Sequence, residues 1–252
     1  MAEVQVAGRR FDIDVMVFDK DGTLIDFHIM WGRRATVAVD ALLRECGGDD
    51  RLESALYHTM GYLPETGTTL GDGPMAVVPL SQADTIMATV LYQHGWTWHE
   101  SERLIAKTVA PIMHSEPTAD VVRPLGNVRE AVDRFNRNGV RTVIATTDNR
   151  GPTIKILNML GIGDHFDLLY CGDDVNLPQK PSARVLQEIA DHCGVETDRL
   201  MMVGDTVGDL SMAHDADAAA KIGVIGGATE EKVLAEWSDA LVCSIDEIII
   251  IS

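Results

Sequence analysis

The chain has 252 residues, 46% of them hydrophobic and 24% charged. Such a composition excludes a disordered tail, a collagen repeat and a disulfide-stapled mini-scaffold, and it suits one large domain or two small ones of about 100–200 residues each. Asp and Glu number 39 against 21 Lys and Arg, a net charge of −18, so long-range repulsion disfavours nucleic acid and anionic membranes as partners.

In chain order, residues 14–18 (D-V-M-V-F) read as the first strand, apolar enough to be buried on both faces. It stops abruptly at D-K-D-G-T. Residues 27–117 show no convincing buried strand. Helices are expected over 31–46, 52–60, 81–94 and 98–113, with capping boxes at Ser81/Asp84 and Thr97/Glu100. Alternation then begins: helix 128–138, strand 140–146, helix 153–160, strand 166–171, helix 182–193, strand 200–203, helix 213–219, strand 221–225 and a short strand 240–243. Strands alternating with helices of about ten residues predict a parallel α/β sheet. The expected organisation is a core from residues 1–26 and 118–252, with a helical insertion at 27–117. Hinges are expected at 24–27 and 116–124, the second marked by Pro117 and Pro124.

No apolar run approaches the roughly 20 residues of a membrane helix. The run at 248–251 is far too short and reads as a packed end or an oligomer contact. Charged residues from Glu3 to Asp14 break up any signal-peptide-like stretch. Cys46, Cys171, Cys193 and Cys243 lack C-x-x-C spacing and read as reduced thiols of a cytoplasmic protein. The eight histidines form no H-x-H or H-x-x-x-H pair, so no zinc site is expected.

Four polar segments each close an expected strand or open the helix after one, where ligands of open α/β sheets bind. In Asp19-Lys20-Asp21-Gly22-Thr23, spacing of two puts both carboxylates on one side with Lys20 pointing away. Such a pair suits a nucleophile with a general acid/base, or a metal site, although D-G is also an ordinary turn dipeptide. In Thr146-Thr147-Asp148-Asn149 the hydroxyls of Thr146 and Thr147 could donate to phosphate, or could simply cap a helix. Lys180-Pro181 places a cation before a helix, with Pro181 in its first turn. A lone Lys is otherwise solvated surface. Gly204-Asp205-Thr206-Val207-Gly208-Asp209 sets two carboxylates four apart, suited to Mg2+ or to a helix dipole.

In this order the segments resemble the haloacid dehalogenase-like hydrolase superfamily, whose signature is D-x-D-G-T, a strand-ending Thr or Ser, a Lys, and G-D-x-x-x-D. The resemblance spans about residues 11–26 and 118–245, and the insertion looks like the helical cap of the phosphoglycolate phosphatase and β-phosphoglucomutase branch. It implies a Rossmann-like parallel sheet and a Mg2+-dependent phosphatase acting on a small phosphorylated metabolite as a monomer or homodimer. It further implies Asp19 as the nucleophile forming an aspartyl-phosphate and Asp21 as the general acid/base. Thr146 and Thr147 would hold phosphate, and Lys180 would neutralise both the nucleophile and the phosphoryl group. The metal would sit on Asp19, Asp205 and the Asp21 carbonyl, with Asp209 supporting it or orienting Lys180. A sugar-phosphate mutase and a non-catalytic phosphate binder are the alternatives. Asp21 argues against dehalogenation. The single insertion lysine, Lys107, disfavours a Schiff-base phosphonatase. Phe27 and His28 stand where this branch often carries a small Ser. Arg33, Arg34 and the loop bearing His94, Trp96, Trp98 and His99 are further candidates to face substrate, each more simply read as surface or core.

Overall fold

The computed structural model describes residues 2–251. β1 (Ala2–Val6) and β2 (Arg9–Ile13) form an antiparallel hairpin with Val4 opposite Phe11. β3 (Val15–Phe18) follows, fully buried. Helices then take over: α1 (Arg33–Cys46), α2 (Asp50–Met60), α3 (Pro74–Val77), α4 (Leu80–Gln93), α5 (Trp98–Thr108) and α6 (Ala110–Met113), with a two-residue hairpin of Tyr62–Leu63 (β4) and Thr68–Thr69 (β5) between α2 and α3. The remainder alternates: α7 (Val128–Arg137), β6 (Arg141–Ala145), α8 (Arg150–Met159), β7 (Leu168–Tyr170), α9 (Arg184–Cys193), β8 (Leu200–Gly204), α10 (Val207–Asp215), β9 (Ala220–Val224), α11 (Glu231–Trp237), β10 (Ala240–Val242) and β11 (Ile249–Ile250).

Six strands form a parallel sheet in the order β10-β9-β8-β3-β6-β7. β3 is central, Val17 lying opposite Val143 on β6 and Met202 on β8. Alternation of period two sends Met16 and Phe18 into one apolar cluster and Val15 and Val17 into another on the opposite face. Both faces are covered, which is why these strands read as continuous apolar runs. On the first face α7 buries Val128, Ala131, Val132 and Phe135, the i, i+3, i+4, i+7 stripe of an amphipathic helix. On the other, α9 contributes Val185, Leu186 and Ile189 and ends at left-handed Gly194.

The helices between β3 and α7 have a third apolar cluster of their own, built on Leu42, Leu56, Leu91 and Ile105, which also takes in Ile156 of α8. The chain enters and leaves this region through two segments that run side by side: the Asp26 N–H donates to the Arg123 carbonyl at 2.8 Å and the Leu125 N–H to that of Leu24 at 3.0 Å.

The structure departs from the sequence-based elements at several points. The helix expected at 213–219 is α10, six residues earlier, because Thr206 caps it through a reciprocal box with Asp209. The Thr97/Glu100 box is present, but α4 starts at Leu80 after Pro79, so Ser81 caps nothing and Asp84 pairs with His114 at 2.8 Å. Pro181 follows a cis peptide and precedes α9 rather than starting it. In the 248–251 run Ile248 is buried and Ile249 and Ile250 pair with β1, while the side chains of Ile249 and Ile251 stay exposed.

Candidate active site

β3, β6 and β8 all end at the same edge of the sheet, and the polar residues that follow them converge. The backbone N–H of Asp19 still bonds the Val203 carbonyl at 2.9 Å, and that of Thr146 bonds the Tyr170 carbonyl at 2.9 Å, so both residues are held in sheet register as the strands run out. Lys180 reaches in from the segment before α9. Its Nζ lies 2.7 Å from Asp19 Oδ1, 2.5 Å from Asp209 Oδ1 and 3.0 Å from the Ala145 carbonyl. The Asp148 N–H donates to Thr146 Oγ1 at 3.1 Å, which leaves the hydroxyl hydrogen for an acceptor in the cavity. Thr147 also lines the cavity.

Asp19, Asp205 and Asp209 are buried and bring carboxylate oxygens within 4.8 Å of one another. The Ala228 N–H donates to Asp205 Oδ2 at 2.7 Å, while Asp205 Oδ1 is buried without a hydrogen-bond partner among the described residues. Gly22, at φ +84°, and Gly227 press on the Asp205 carboxylate from two loops, and a Cβ at either position would collide with it. Burial drives Asp205 well above the ordinary carboxylate range, with Asp19 and Asp209 adding to the effect. Burial likewise raises Asp19 to about 7, against the pull of Lys180. For Lys180, burial acts to lower the pKa, but the facing Asp19 and Asp209 outweigh it and the amine stays charged. Three buried carboxylates against one ammonium leave an excess of negative charge that a cation would relieve. The all-oxygen donor set and the orphaned Asp205 oxygen fit a hard divalent ion such as Mg2+.

Asp21 sits apart from this cluster. Lys20 does not point away: its side chain is fully buried and its Nζ lies 2.5 Å from Asp21 Oδ2 and 3.0 Å from Asp148 Oδ2. Trp31, on a π-helical turn at His28–Gly32, lines the same cavity beside Asp21 and favours its carboxylate form. Burial raises the Asp21 pKa, opposed by Lys20, and Asp148 adds to the rise. Sequence reasoning thus missed three residues of the site: Lys20, Trp31 and Asp148. The available signal was Lys20 itself, a lysine following an apolar strand that has no water on either face.

The cavity opening from these groups encloses about 550 Å³, within the usual range for small-molecule sites. Its far wall comes from the helical region, including Phe27, Trp31 and Met113. The other insertion candidates lie elsewhere. Arg33 pairs with Asp120 on the surface, and Arg34 is buried over Trp31 and donates to the carbonyls of Met113 and Ser115. His28 is 3.1 Å from the Gly227 carbonyl. His94 bonds the Val90 carbonyl, Trp96 packs against the helical core, Trp98 stacks edge-on with Tyr92 at the exposed surface, and His99 is exposed. Lys107 is exposed and paired with Glu45.

A family model described as haloacid dehalogenase-like hydrolase matches residues 13–217. The phosphoglycolate phosphatase of Agrobacterium fabrum (strain C58) is 26% identical over 220 residues, covering 85% of this chain and 81% of its own. A crystal structure from Haemophilus somnus 129pt, described as a predicted phosphoglycolate phosphatase, superposes with TM-score 0.65 at 16% identity, over 92% of this chain and 95% of that one. CbbY from Rhodobacter sphaeroides, crystallised with phosphate, gives TM-score 0.58 at 21% identity over 92% and 95%. At these identities the two structures are evidence for a shared fold.

Proposed function

The chain belongs to the haloacid dehalogenase-like hydrolases, and on that premise we propose that it is a Mg2+-dependent phosphatase working through an aspartyl-phosphate on Asp19. The observation that carries the reading is Lys180 Nζ lying between Asp19 and Asp209 on the floor of the cavity, with Thr146 beside them. Phosphoryl transfer needs positioning and charge neutralisation above all. Asp19 Oδ1 is held by Lys180, which turns the carboxylate toward the cavity as the attacking group. The Lys180 ammonium and the Thr146 hydroxyl take up the equatorial phosphoryl oxygens. Asp19, Asp205 and the main-chain carbonyl of Asp21 would hold a Mg2+, with Asp209 supporting it, and the ion would add to the neutralisation of the phosphoryl group.

Asp21 is the proposed general acid. Burial keeps its carboxyl protonated to a higher pH than in water, so it can donate to the departing alkoxide; as carboxylate it then takes a proton from the water that cleaves the acyl-phosphate. Lys20 fixes that carboxyl in place. Residues 1–26 and 118–252 act as the catalytic core and 27–117 as a cap that excludes bulk water. The substrate is a small phosphorylated metabolite, met in the cytoplasm, where the free thiols stay reduced. None of the described helices is long and apolar enough to cross a membrane.

The test is phosphate release from a chromogenic aryl phosphate and a panel of phosphorylated metabolites, wild type beside Asp19→Asn, with Mg2+. Release by wild type and its loss in the variant is the expected result. Equal release by both refutes the nucleophile assignment, and isomerised sugar phosphate without release favours a mutase.

A further inference from the structure

The cavity that opens from Asp19 has a wall unlike its floor. Along the chain from Met75 to Leu80 runs M-A-V-V-P-L, six apolar residues in succession. All six line the cavity and every one is half-buried rather than buried. Met75, Ala76, Val78 and Leu80 pack their inner sides on the helical core and leave the rest facing the empty volume. Phe27, Trp31 and Met60 continue the apolar surface. Apolar area of this extent held against water is unfavourable, and a ligand that covers it gains by the same amount.

Charge on the wall points the same way. Among the described residues that line the cavity, Lys180 is the one cation, and it is already shared between Asp19 and Asp209 beside the site where the phosphoryl group would bind. The polar side chains on the helical side are Gln82 and the anionic Asp72. Nearby Arg34, which could have met a second anionic group, is turned onto the carbonyls of Met113 and Ser115. A substrate carrying a carboxylate or a second phosphate beyond its scissile ester would be buried there without a counter-charge, at a cost several-fold larger than any contact it made.

We propose that the substrate of this phosphatase is the monoester of an uncharged, mainly hydrocarbon alcohol, whose chain or ring packs against the 75–80 wall. The inference rests on the phosphatase reading above and narrows it to a class of leaving group. Phosphoglycolate, whose distal carboxylate would find no partner here, is then a poor substrate.

The experiment compares kcat/KM for n-alkyl phosphates from ethyl to octyl with those for 2-phosphoglycolate and a hexose phosphate, using the Mg2+-loaded wild-type protein. The expected result is a rise of about two- to fourfold per methylene until the cavity is filled, with the longer esters above both anionic and sugar substrates. A flat series, or 2-phosphoglycolate ranking first, overturns the proposal. Calorimetric binding of n-alkylphosphonates, which cannot be hydrolysed, reads the same ladder without turnover. If no ester, including the aryl phosphate, is cleaved but the phosphonate ladder holds, the phosphatase reading fails and the apolar pocket stands. If the phosphonates bind without regard to chain length, the pocket proposal fails. Gln82→Arg, at an exposed position where a new side chain folds easily, should lower the hexyl ester's advantage over 2-phosphoglycolate at least about tenfold; an unchanged ratio counts against the proposed orientation of the alcohol.

Discussion

Replacing Lys20 with Met removes a cation that has no access to water and faces two carboxylates, Asp21 at 11% and Asp148 at 4% side-chain exposure. Breaking a buried pair by deleting one partner costs about 3–5 kcal/mol, because the charges left behind are desolvated and unpaired. Against a total of about 5–15 kcal/mol for a folded domain, that is a large fraction. Removing Asp148 as well discards one of the stranded charges. The double variant Lys20→Met/Asp148→Asn should therefore be less destabilised than the sum of the single variants by about 1–3 kcal/mol. The assay is urea unfolding at pH 7 with chelator present, comparing midpoints at constant slope. The pH dependence follows in sign. Without Lys20 the Asp21 carboxyl moves further above its unfolded value, so the stability lost at pH 7 is partly regained as the pH falls and Asp21 takes up a proton. A Lys20→Met protein within about 0.5 kcal/mol of wild type, or strictly additive single variants, would show that this triad is not the buried network described.

In the chelated protein Asp19 is raised to about 7, above its unfolded value, so its contribution to stability is present at low pH and lost as the pH rises through about 7. The melting temperature should fall between pH 5.5 and pH 8 in chelator, and Mg2+ should restore more of it at pH 8; equal Mg2+ shifts at both pH values would refute the cluster's role. Gly22→Ala should displace Asp205 and weaken apparent Mg2+ affinity by about 10–100-fold with an unchanged far-UV spectrum, read by metal titration of activity. Burial pushes the Cys171 thiol up to about 12, whereas Cys243 is exposed. Ellman's reagent at pH 8 should label Cys243 at once and Cys171 only after unfolding; rapid reaction of every thiol in the native protein would contradict the burial pattern.

The strands and the site were legible for one reason. β3 and β8 are buried on both faces and read as apolar runs, β6 does so over Val143–Ala145, and the polar residue that follows each is a ligand candidate by position alone. Asp19, Thr146 and Asp205 are found that way. Lys180 needed the resemblance, since a single lysine before a helix carries no pattern. Lys20 was misjudged because alternation describes where a Cβ points, whereas a four-carbon side chain can fold back onto Asp21. The β1–β2 hairpin was missed because its strands have five residues each and β2 is mostly exposed, R-R-F-D-I offering little apolar contrast. α10 was displaced because G-D-T-V-G-D has poor helix formers, and its start is set by the Thr206–Asp209 cap rather than by propensity.

The central place of β3 also has a consequence for biosynthesis. Val17 leaves the ribosome long before its neighbours Val143 and Met202 are made; at about 5–20 residues per second the wait is on the order of ten seconds or more. Through that interval an all-apolar strand has two open edges, while the helices that emerge next can gather around Leu42, Leu56 and Leu91 without it. In this topology β3 gains its first parallel neighbour, β6, only after the helices coded between residues 33 and 113 have been made, and its second, β8, later still. During that time the strand that leads into Asp19 offers unpaired backbone groups along both edges, the feature by which one chain pairs with another.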